Sequence, residues 1–567
     1  MSVAVNATTL PVDSAVIEYK LHGQTRRYSV TFRERGDSLL LSWGIERNTK
    51  WQSGSYCMTP NARKNSTMMC YVQPIDEKHI TINSSTFAII SSNALAELKN
   101  TGKFHYNNTV YRLSGARIDG MGNRLISAID TLEGSKIEIL DNQALPLVVK
   151  MADNPVEINW TIKLTERNSG PKRYISANPG ASGGIYYAYP YTADEWVEAP
   201  TGYKPFYVSH YGRHGSRWIL KEWQHPLALA LFAHNDSANN LTAKGKEIYK
   251  KIQDISANAE GNYTLLSPVG VTQHREISKR LVKRYPQIFA QVDTVRAFSS
   301  VIPRCIKSMK SFCGALNELY PNVKIVMDSD SVNMEYIAYD PAEKKKQFGK
   351  DSDFQKRYAG YTDSLLHPER LMATLFVNPD SVPEQKKVMK LLHDIAVDVQ
   401  DVDIDEDFLD IFNDDELFAL WQNLNYSMYM KHANCPASGA AGPTNAYNLL
   451  RNIIEDADKA VSGEKARVTL RFGHDTHLIR LLALMGVDGC ANAEQDCDNY
   501  YKAWQDFRIS PMGANLQMIF SRNDAGNVIV LLRLNEQIVT LPIATAFADA
   551  PYYDWATLRA YLIDLVK

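Results

Sequence analysis

Tyr207-Val208-Ser209-His210-Tyr211-Gly212-Arg213-His214-Gly215-Ser216-Arg217 joins an apolar run to a loop crowded with charge. Lys204-Pro205-Phe206-Tyr207-Val208 enters it as a strand, and the loop gathers two arginines and a histidine around one glycine. Two later segments share the same layout of strand, short polar loop and helix. Thr294 to Ser299 reads as a strand, and Val301-Ile302-Pro303-Arg304 opens a helix over Cys305–Leu319. Val468-Thr469-Leu470-Arg471-Phe472 alternates as a strand, then gives way to Gly473-His474-Asp475-Thr476-His477 and a helix through Leu484. In an open parallel sheet, ligands bind beyond the carboxyl ends of the strands. Three polar loops at three such ends can therefore converge on one pocket holding Arg213, His214, Arg217, Arg304, His474 and Asp475.

Three guanidiniums, two imidazoles and one carboxylate suit a phosphate dianion, whose oxygens match guanidinium donors in bidentate geometry. The same donors stabilise charge on the equatorial oxygens during phosphoryl transfer. His214, flanked by arginines that favour its neutral form, can attack phosphorus as a nucleophile. Gly215 lets the backbone turn tightly against the ligand. Asp475 can protonate the leaving oxygen and then activate water. This chemistry needs no metal and no other cofactor. Taken singly, each histidine is more often structural than catalytic, and Arg-His-Gly-x-Arg alone suits a surface loop. The conjunction of three strand-end motifs carries the assignment.

Farther out, the character of the chain changes. The first ~165 residues are β-rich by their period-two alternation. Tyr28, Val30 and Phe32 alternate with polar residues, Leu39, Leu41 and Trp43 keep the same spacing, and Val156 to Leu164 alternates throughout. Ser169-Gly170-Pro171 and Asn178-Pro179-Gly180-Ala181-Ser182-Gly183-Gly184 read as turn and linker residues. The spacing predicts helices beginning near Leu241 and within Pro268 to Phe289, the latter with Ile277, Leu281 and Tyr285 on one face. A long, mostly helical stretch follows from about Asp330 to Val461. The expected organisation is a β-rich domain over 1–168 and an α/β domain over 169–567, with a helical subdomain from about 219–290 and 330–460. Asp401-Val402-Asp403-Ile404-Asp405 imitates the start of a calcium loop. Glu406 stands where that loop needs Gly and Phe412 where it needs Glu, so a solvated acidic surface is expected instead.

The bulk numbers exclude several classes. The chain has 567 residues, 45% apolar and 22% charged, with 62 basic and 64 acidic side chains and a net charge of -2. That balance speaks against a broad nucleic-acid or anionic-membrane surface. No apolar run approaches the ~20 residues of a membrane-spanning helix. Met1-Ser2-Val3-Ala4-Val5-Asn6 is not a basic segment leading into an apolar one, which leaves either a cytosolic protein or one whose targeting segment is missing. Of seven cysteines, Cys57 with Cys70 and Cys490 with Cys497 are spaced for small disulfide loops, with free thiols as the alternative. Cys305 and Cys313 share a helical face with Met309, Phe312 and Leu316 and read as core. The sequence has no CxxC, HExxH or paired Cys/His spacing for a structural zinc.

From about Tyr186 to Lys567 the chain resembles the histidine acid phosphatases, branch 2 of the histidine phosphatases, a group that includes phytases and multiple inositol polyphosphate phosphatases. Arg213-His214-Gly215-Ser216-Arg217 matches the family's RHGxR and His474-Asp475 its HD. Leu266-Ser267-Pro268-Val269-Gly270-Val271-Thr272-Gln273 resembles its "LTPxGxxQ" helix start, and Arg304-Cys305 its third phosphate-binding arginine. The resemblance implies that His214 is the nucleophile and Asp475 the proton donor, with Arg213, Arg217, Arg304 and His474 binding phosphate. It also implies an α/β core with an α subdomain, a small-molecule phosphate monoester as substrate, and export to a periplasm or the medium. Multiple inositol polyphosphate phosphatases typically carry His-Ala-Glu where this chain has His474-Asp475-Thr476. Yet Tyr187-Ala188-Tyr189-Pro190 and Pro511-Met512-Gly513-Ala514-Asn515-Leu516 look more like that group. Trp218, Lys221 and His477 are candidate substrate contacts, with inositol polyphosphate among the candidate substrates. Two competing functions are a phosphomutase and a phosphate-ester-binding protein with a β-rich recognition domain.

Overall fold

The computed structural model describes every residue except 1–13, 22–23, 36, 48–49, 71–77, 119–122, 165–169, 191–197, 292–293, 341–346, 440, 465–466, 495–498 and 548–549. The chain divides into two compact units. One comprises Met1–Arg173, Thr192–Thr201 and Glu536–Asp554; the other comprises Tyr174–Tyr191, Gly202–Asn535 and Trp555–Lys567. The first unit thus draws on two further segments, one of them close to the C-terminus, as well as on the β-rich N-terminal part.

That unit is built on an eleven-stranded sheet. Its strands are β1 (Ser14–Leu21), β2 (Gln24–Arg35), β3 (Ser38–Arg47), β4 (Lys50–Met58), β5 (His79–Ile82), β6 (Lys103–Tyr106), β7 (Thr109–Ile118), β8 (Arg124–Asp130), β9 (Lys136–Leu140), β10 (Val148–Ala152) and β11 (Ile158–Leu164). They are ordered β5-β4-β3-β2-β1-β11-β10-β9-β8-β7-β6. The alternation seen in sequence sets the buried face. Tyr28, Val30 and Phe32 on β2 are buried, as are Leu39, Leu41 and Trp43 on β3. The last strand starts later than the pattern suggests. Glu157 has φ +57°, a left-handed residue that ends the preceding turn, so Val156 is exposed and pairing begins at Ile158.

In the second unit the sheet strands are β12 (Lys204–Arg213), β13 (Thr294–Ser299), β14 (Lys324–Asp328), β15 (Val468–Gly473), β16 (Asn515–Arg522) and β17 (Val528–Leu534). They run in the order β14-β13-β15-β12-β16-β17. β12, β13, β14 and β15 are mutually parallel, whereas β16 pairs antiparallel with β12 and β17 antiparallel with β16. β15 is buried along its whole length, as a central strand covered on both faces must be. Cys305, Met309, Phe312, Cys313 and Leu316 line the buried face of the helix Pro303–Leu319, the core role expected of the two cysteines. The helices Gln224–Ser237 and Ala243–Ala259 share one apolar core with Glu369–Leu375, Gln385–Asp398 and Asp414–His432, joining Phe232, Ile248, Leu375, Leu392 and Trp421.

The glycine-rich stretch read as linker is something else. Pro179–Tyr186 forms a 3₁₀ helix kinked at Gly184, whose φ is +58°, and Ala181, Ser182, Gly183, Gly184 and Ile185 in it are buried. A Cβ on Gly183 would lie 3.1 Å from Val397 Cβ, and one on Gly184 would collide with the Asp506 carboxylate. These glycines serve close packing; loops merely share their composition. The cysteine expectations also change. Cys57 carries a free thiol, so its pairing with Cys70 does not form, and the Cys490–Cys497 pair lies outside the description because Cys497 does.

Candidate active site

The β12–β15 register brings the first and third motifs together: Arg213 lies beside Gly473 at the carboxyl ends of parallel strands. The His214 N–H donates to the Gly473 carbonyl at 3.0 Å, and the Gly513 N–H donates to the His214 carbonyl at 3.0 Å. β13 lies on the other side of β15. It delivers Ser300, whose N–H donates to Phe472 O at 3.1 Å and whose hydroxyl lies 3.2 Å from His474 Nε2. The Pro303–Leu319 helix then starts with Arg304 in its first turn, where free N–H groups and the helix dipole favour an anion. All six pooled residues therefore fall within one end of one sheet.

Two glycines make the loop possible. A Cβ on Gly215 would sit 2.7 Å from the Gly270 carbonyl oxygen and 2.8 Å from Gly270 Cα, and a Cβ on Gly270 would strike the Ser216 backbone. The loop therefore rests directly on the start of the helix Pro268–Arg284, capped by Ser267, whose hydroxyl accepts from Gly270 N–H at 3.2 Å. Gln273, one turn in, accepts from Ser216 N–H at 2.9 Å and donates to Ser216 Oγ at 2.8 Å. This is the physical content of the Leu266–Gln273 motif. The Gly215 N–H donates to Ser308 Oγ at 3.2 Å from the Pro303 helix.

His214 is buried, and its Nδ1 lies 2.9 Å from the Gly215 carbonyl. A carbonyl only accepts, so Nδ1 carries the proton and Nε2 keeps its lone pair. Burial pushes its pKa well below the ordinary value, and Arg213, Arg304 and Arg217 push it the same way. Burial also pushes His474 down to about 4; its ring centroid lies 5.9 Å from that of His214. Arg213 is fully buried. It donates through one terminal nitrogen to the carbonyls of Ile185 and Ser510 and places the other 3.2 Å from Asp475 Oδ2. The buried Nε atoms of Arg213, Arg217 and Arg304 have no hydrogen-bond partner among the described residues. Arg217 lies over the Tyr186 ring at 5.1 Å. Asp475 begins the helix Asp475–Leu484. Burial pulls its pKa up, but Arg213, with His474 and the Thr476 N–H, outweighs that and holds the carboxyl below its usual range. The result is a dry, cationic cradle around a neutral imidazole.

The three candidate substrate contacts separate. Lys221 is exposed, with its ammonium 5.9 Å from the centroid of the Trp223 ring. Trp218 donates its indole N–H to Asn258 at 2.8 Å. His477 is buried; its Nε2 lies 2.9 Å from the Tyr339 carbonyl and 3.4 Å from Arg480. Trp218 and His477 thus already have protein partners.

Several site residues carried no sequence signal of their own. Ile185 and Ser510 meet Arg213 through their carbonyls, and the Tyr186 ring lies against Arg217. Asp401 corrects an expectation: it is not part of a solvated acidic surface. Asp403 and Asp405 are exposed, but Asp401 is fully buried and accepts from Ser216 Oγ at 2.5 Å. The phase of the helix ending at Asp398 turns this residue inward, which residue spacing alone did not reveal. The flagged Tyr187–Pro190 and Pro511–Leu516 segments bind each other: Met512 N–H donates to Tyr187 O at 2.8 Å, and Asn515 donates to the Tyr189 hydroxyl at 3.3 Å.

Residues 212–532 match the model of the histidine phosphatase superfamily (branch 2). No curated protein matches the chain. Among solved structures, the multiple inositol polyphosphate phosphatase of Bifidobacterium longum in complex with inositol hexasulfate has a TM-score of 0.58 at 17% identity, covering 67% of this chain and 97% of that one. Its complex with phosphate gives 0.59 at 16%, covering 68% and 98%. The phytase from D. castellii gives 0.50 at 14%, covering 68% and 85%. These likenesses establish the fold, and the family model spans more than half of the sequence. The chain therefore belongs to branch 2 of the histidine phosphatase superfamily, as a phosphomonoester hydrolase.

Proposed function

We propose that the enzyme hydrolyses phosphate monoesters through a phosphohistidine on His214 Nε2. The observation that carries this is the Nδ1 contact with the Gly215 carbonyl, which leaves Nε2 as the unprotonated atom among three guanidiniums. Arg213, Arg217, Arg304 and His474 hold the phosphoryl oxygens. The Nε2–P bond forms as the ester P–O bond breaks, and the leaving oxygen takes a proton from Asp475. Water then attacks phosphorus, its proton passes to Asp475, and the P–N bond breaks to release phosphate.

Asp475 is ionised before substrate arrives, because Arg213 holds its pKa down. A phosphate dianion engages that arginine and adds negative charge nearby, and both effects raise the pKa of the carboxyl. Asp475 thus takes up its proton as the ester binds, which favours acidic to neutral operation. Inositol polyphosphates are the leading substrate candidates. The cradle is strongly cationic, Lys221 stands exposed four residues beyond Arg217, and one fold relative is crystallised with inositol hexasulfate. We infer export from the family resemblance; no helix among the described residues is long and apolar enough to cross a membrane.

Rapid acid-free quenching during turnover of a labelled aryl phosphate, with EDTA present, tests the intermediate. An acid-labile, base-stable phosphoenzyme on His214 is expected, with free phosphate as product. A turnover-competent enzyme without that adduct refutes the phosphohistidine, and a product that conserves ester phosphate makes the protein a mutase. Running the panel with a sugar phosphate and inositol hexakisphosphate ranks the substrates.

A further inference from the structure

The RHGxR loop is held from beneath by two carboxyls that the reaction itself does not use. Asp394, Asp398 and Asp401 follow one another along one face of the helix Gln385–Asp398 and the 3₁₀ turn Val399–Asp401. Asp398 accepts the Ile219 N–H at 2.9 Å, and its other oxygen lies 3.9 Å from an Arg217 terminal nitrogen. Asp401 accepts the Ser216 hydroxyl, which itself accepts from Gln273. Both carboxyls are buried, and Asp401 Oδ2 has no partner among the described residues. Two carboxylates this close and this dry disfavour each other's ionisation.

We propose that Asp398 and Asp401 are positioning residues of the phosphatase reaction, a protonation-dependent mount beneath Ser216 to Ile219 that leaves Arg217 free for phosphate while the pair is protonated and draws it into an ion pair once Asp398 ionises. The surrounding charges fit this. Asp398 faces Arg217 and Asp394; Asp401 faces Asp398, Arg217 and Arg213. Asp394 in turn faces Lys221 and Lys390 and accepts from Gln224 at 2.7 Å. Burial pushes Asp398 up to about 7 and Asp401 well above its ordinary value, the latter helped by Asp398. In the acid range Arg217 is therefore offered to the substrate, and above neutrality Asp398 competes for it.

The inference rests on the phosphatase reading, and the experiment separates the two. KM and kcat for an aryl phosphate are measured from pH 5 to 8.5 for wild type, Asp398→Asn, Asp401→Asn and Asp401→Ala, with inorganic phosphate binding to wild type measured by calorimetry at both ends. Asp398→Asn keeps a side-chain oxygen for the Ile219 N–H but cannot ionise. It should turn over normally at pH 5, and its KM at pH 8 should rise about tenfold less than that of wild type. Asp401→Asn imitates the protonated acid and should keep kcat/KM, whereas Asp401→Ala should lose about tenfold or more, mostly in KM. An Asp398→Asn profile superimposed on wild type overturns the inference. So does Asp401→Asn falling as far as Asp401→Ala, because that marks a need for the charge. If wild type neither turns over nor binds phosphate, the phosphatase reading itself has failed.

Discussion

β12 and its end carry two histidines four residues apart, His210 and His214, and both are buried. Burial, helped by His274 and Arg471, pushes His210 down to about 3. Its ring lies 5.1 Å from that of Phe312 and 5.6 Å from that of Phe472, and neither nitrogen has a partner among the described residues. It is a packing group, resting on Gly212, where a Cβ would come within 2.8 Å of its Nε2. His214 is equally dry and equally neutral, but one nitrogen is tied to a carbonyl and three guanidiniums surround the ring. Neutrality therefore does not mark the nucleophile. What marks it is an oriented lone pair beside charge that awaits an anion.

Three measurements sharpen that contrast. The largest effect belongs to His214→Ala, which should lower kcat by on the order of 10⁴-fold or more, as loss of a nucleophile does. His210→Leu should stay within a few-fold of wild type; equal losses in the two variants would collapse the distinction. Asp475→Asn comes next, with kcat falling by about 10²–10⁴-fold for loss of a general acid. Its deficit should be greatest on alkyl phosphates and smallest on aryl phosphates that leave unaided, and a deficit independent of the leaving group would remove Asp475 from the proton-donor role.

The smallest effect is on acid stability. The His210 ring titrates near 3 in the folded protein against an ordinary 6.5. Between those values the unfolded chain binds a proton that the folded chain refuses, so stability falls as the pH drops through this window. His210→Leu should flatten the wild-type slope there by roughly 1.4 kcal/mol per pH unit. Urea titrations at pH 4, 5 and 6 measure this, and an unchanged slope would mean that the ring is not held neutral.

Carboxyls repeat the lesson. Asp475 is partly buried and Asp401 fully so, near the same arginines, yet Arg213 holds the pKa of Asp475 down while burial and a neighbouring carboxyl push that of Asp401 up. Asp475 sits at a helix start in a motif. Asp401 sits in a run of alternating acids whose exposed members, Asp403 and Asp405, made the whole segment look solvated.

By itself the sequence determined the period-two strands of the β-rich unit, the three strand–loop–helix junctions and the six polar residues at their tips. These are local properties: alternation, a proline in the first helical turn, a glycine in a tight loop. It also marked the Leu266–Gln273 helix start, though not the reason for it, which is the backbone contact between Gly215 and Gly270. Tertiary structure alone decided the rest. Whether Gly180–Gly184 is a linker or a packed 3₁₀ helix depends on Val397 and Asp506, more than 200 residues away in sequence. Whether Asp401 meets water or Ser216 depends on how one helix is rotated against a loop. Burial and ionisation are set by what surrounds a residue, and those surroundings come from distant parts of the chain.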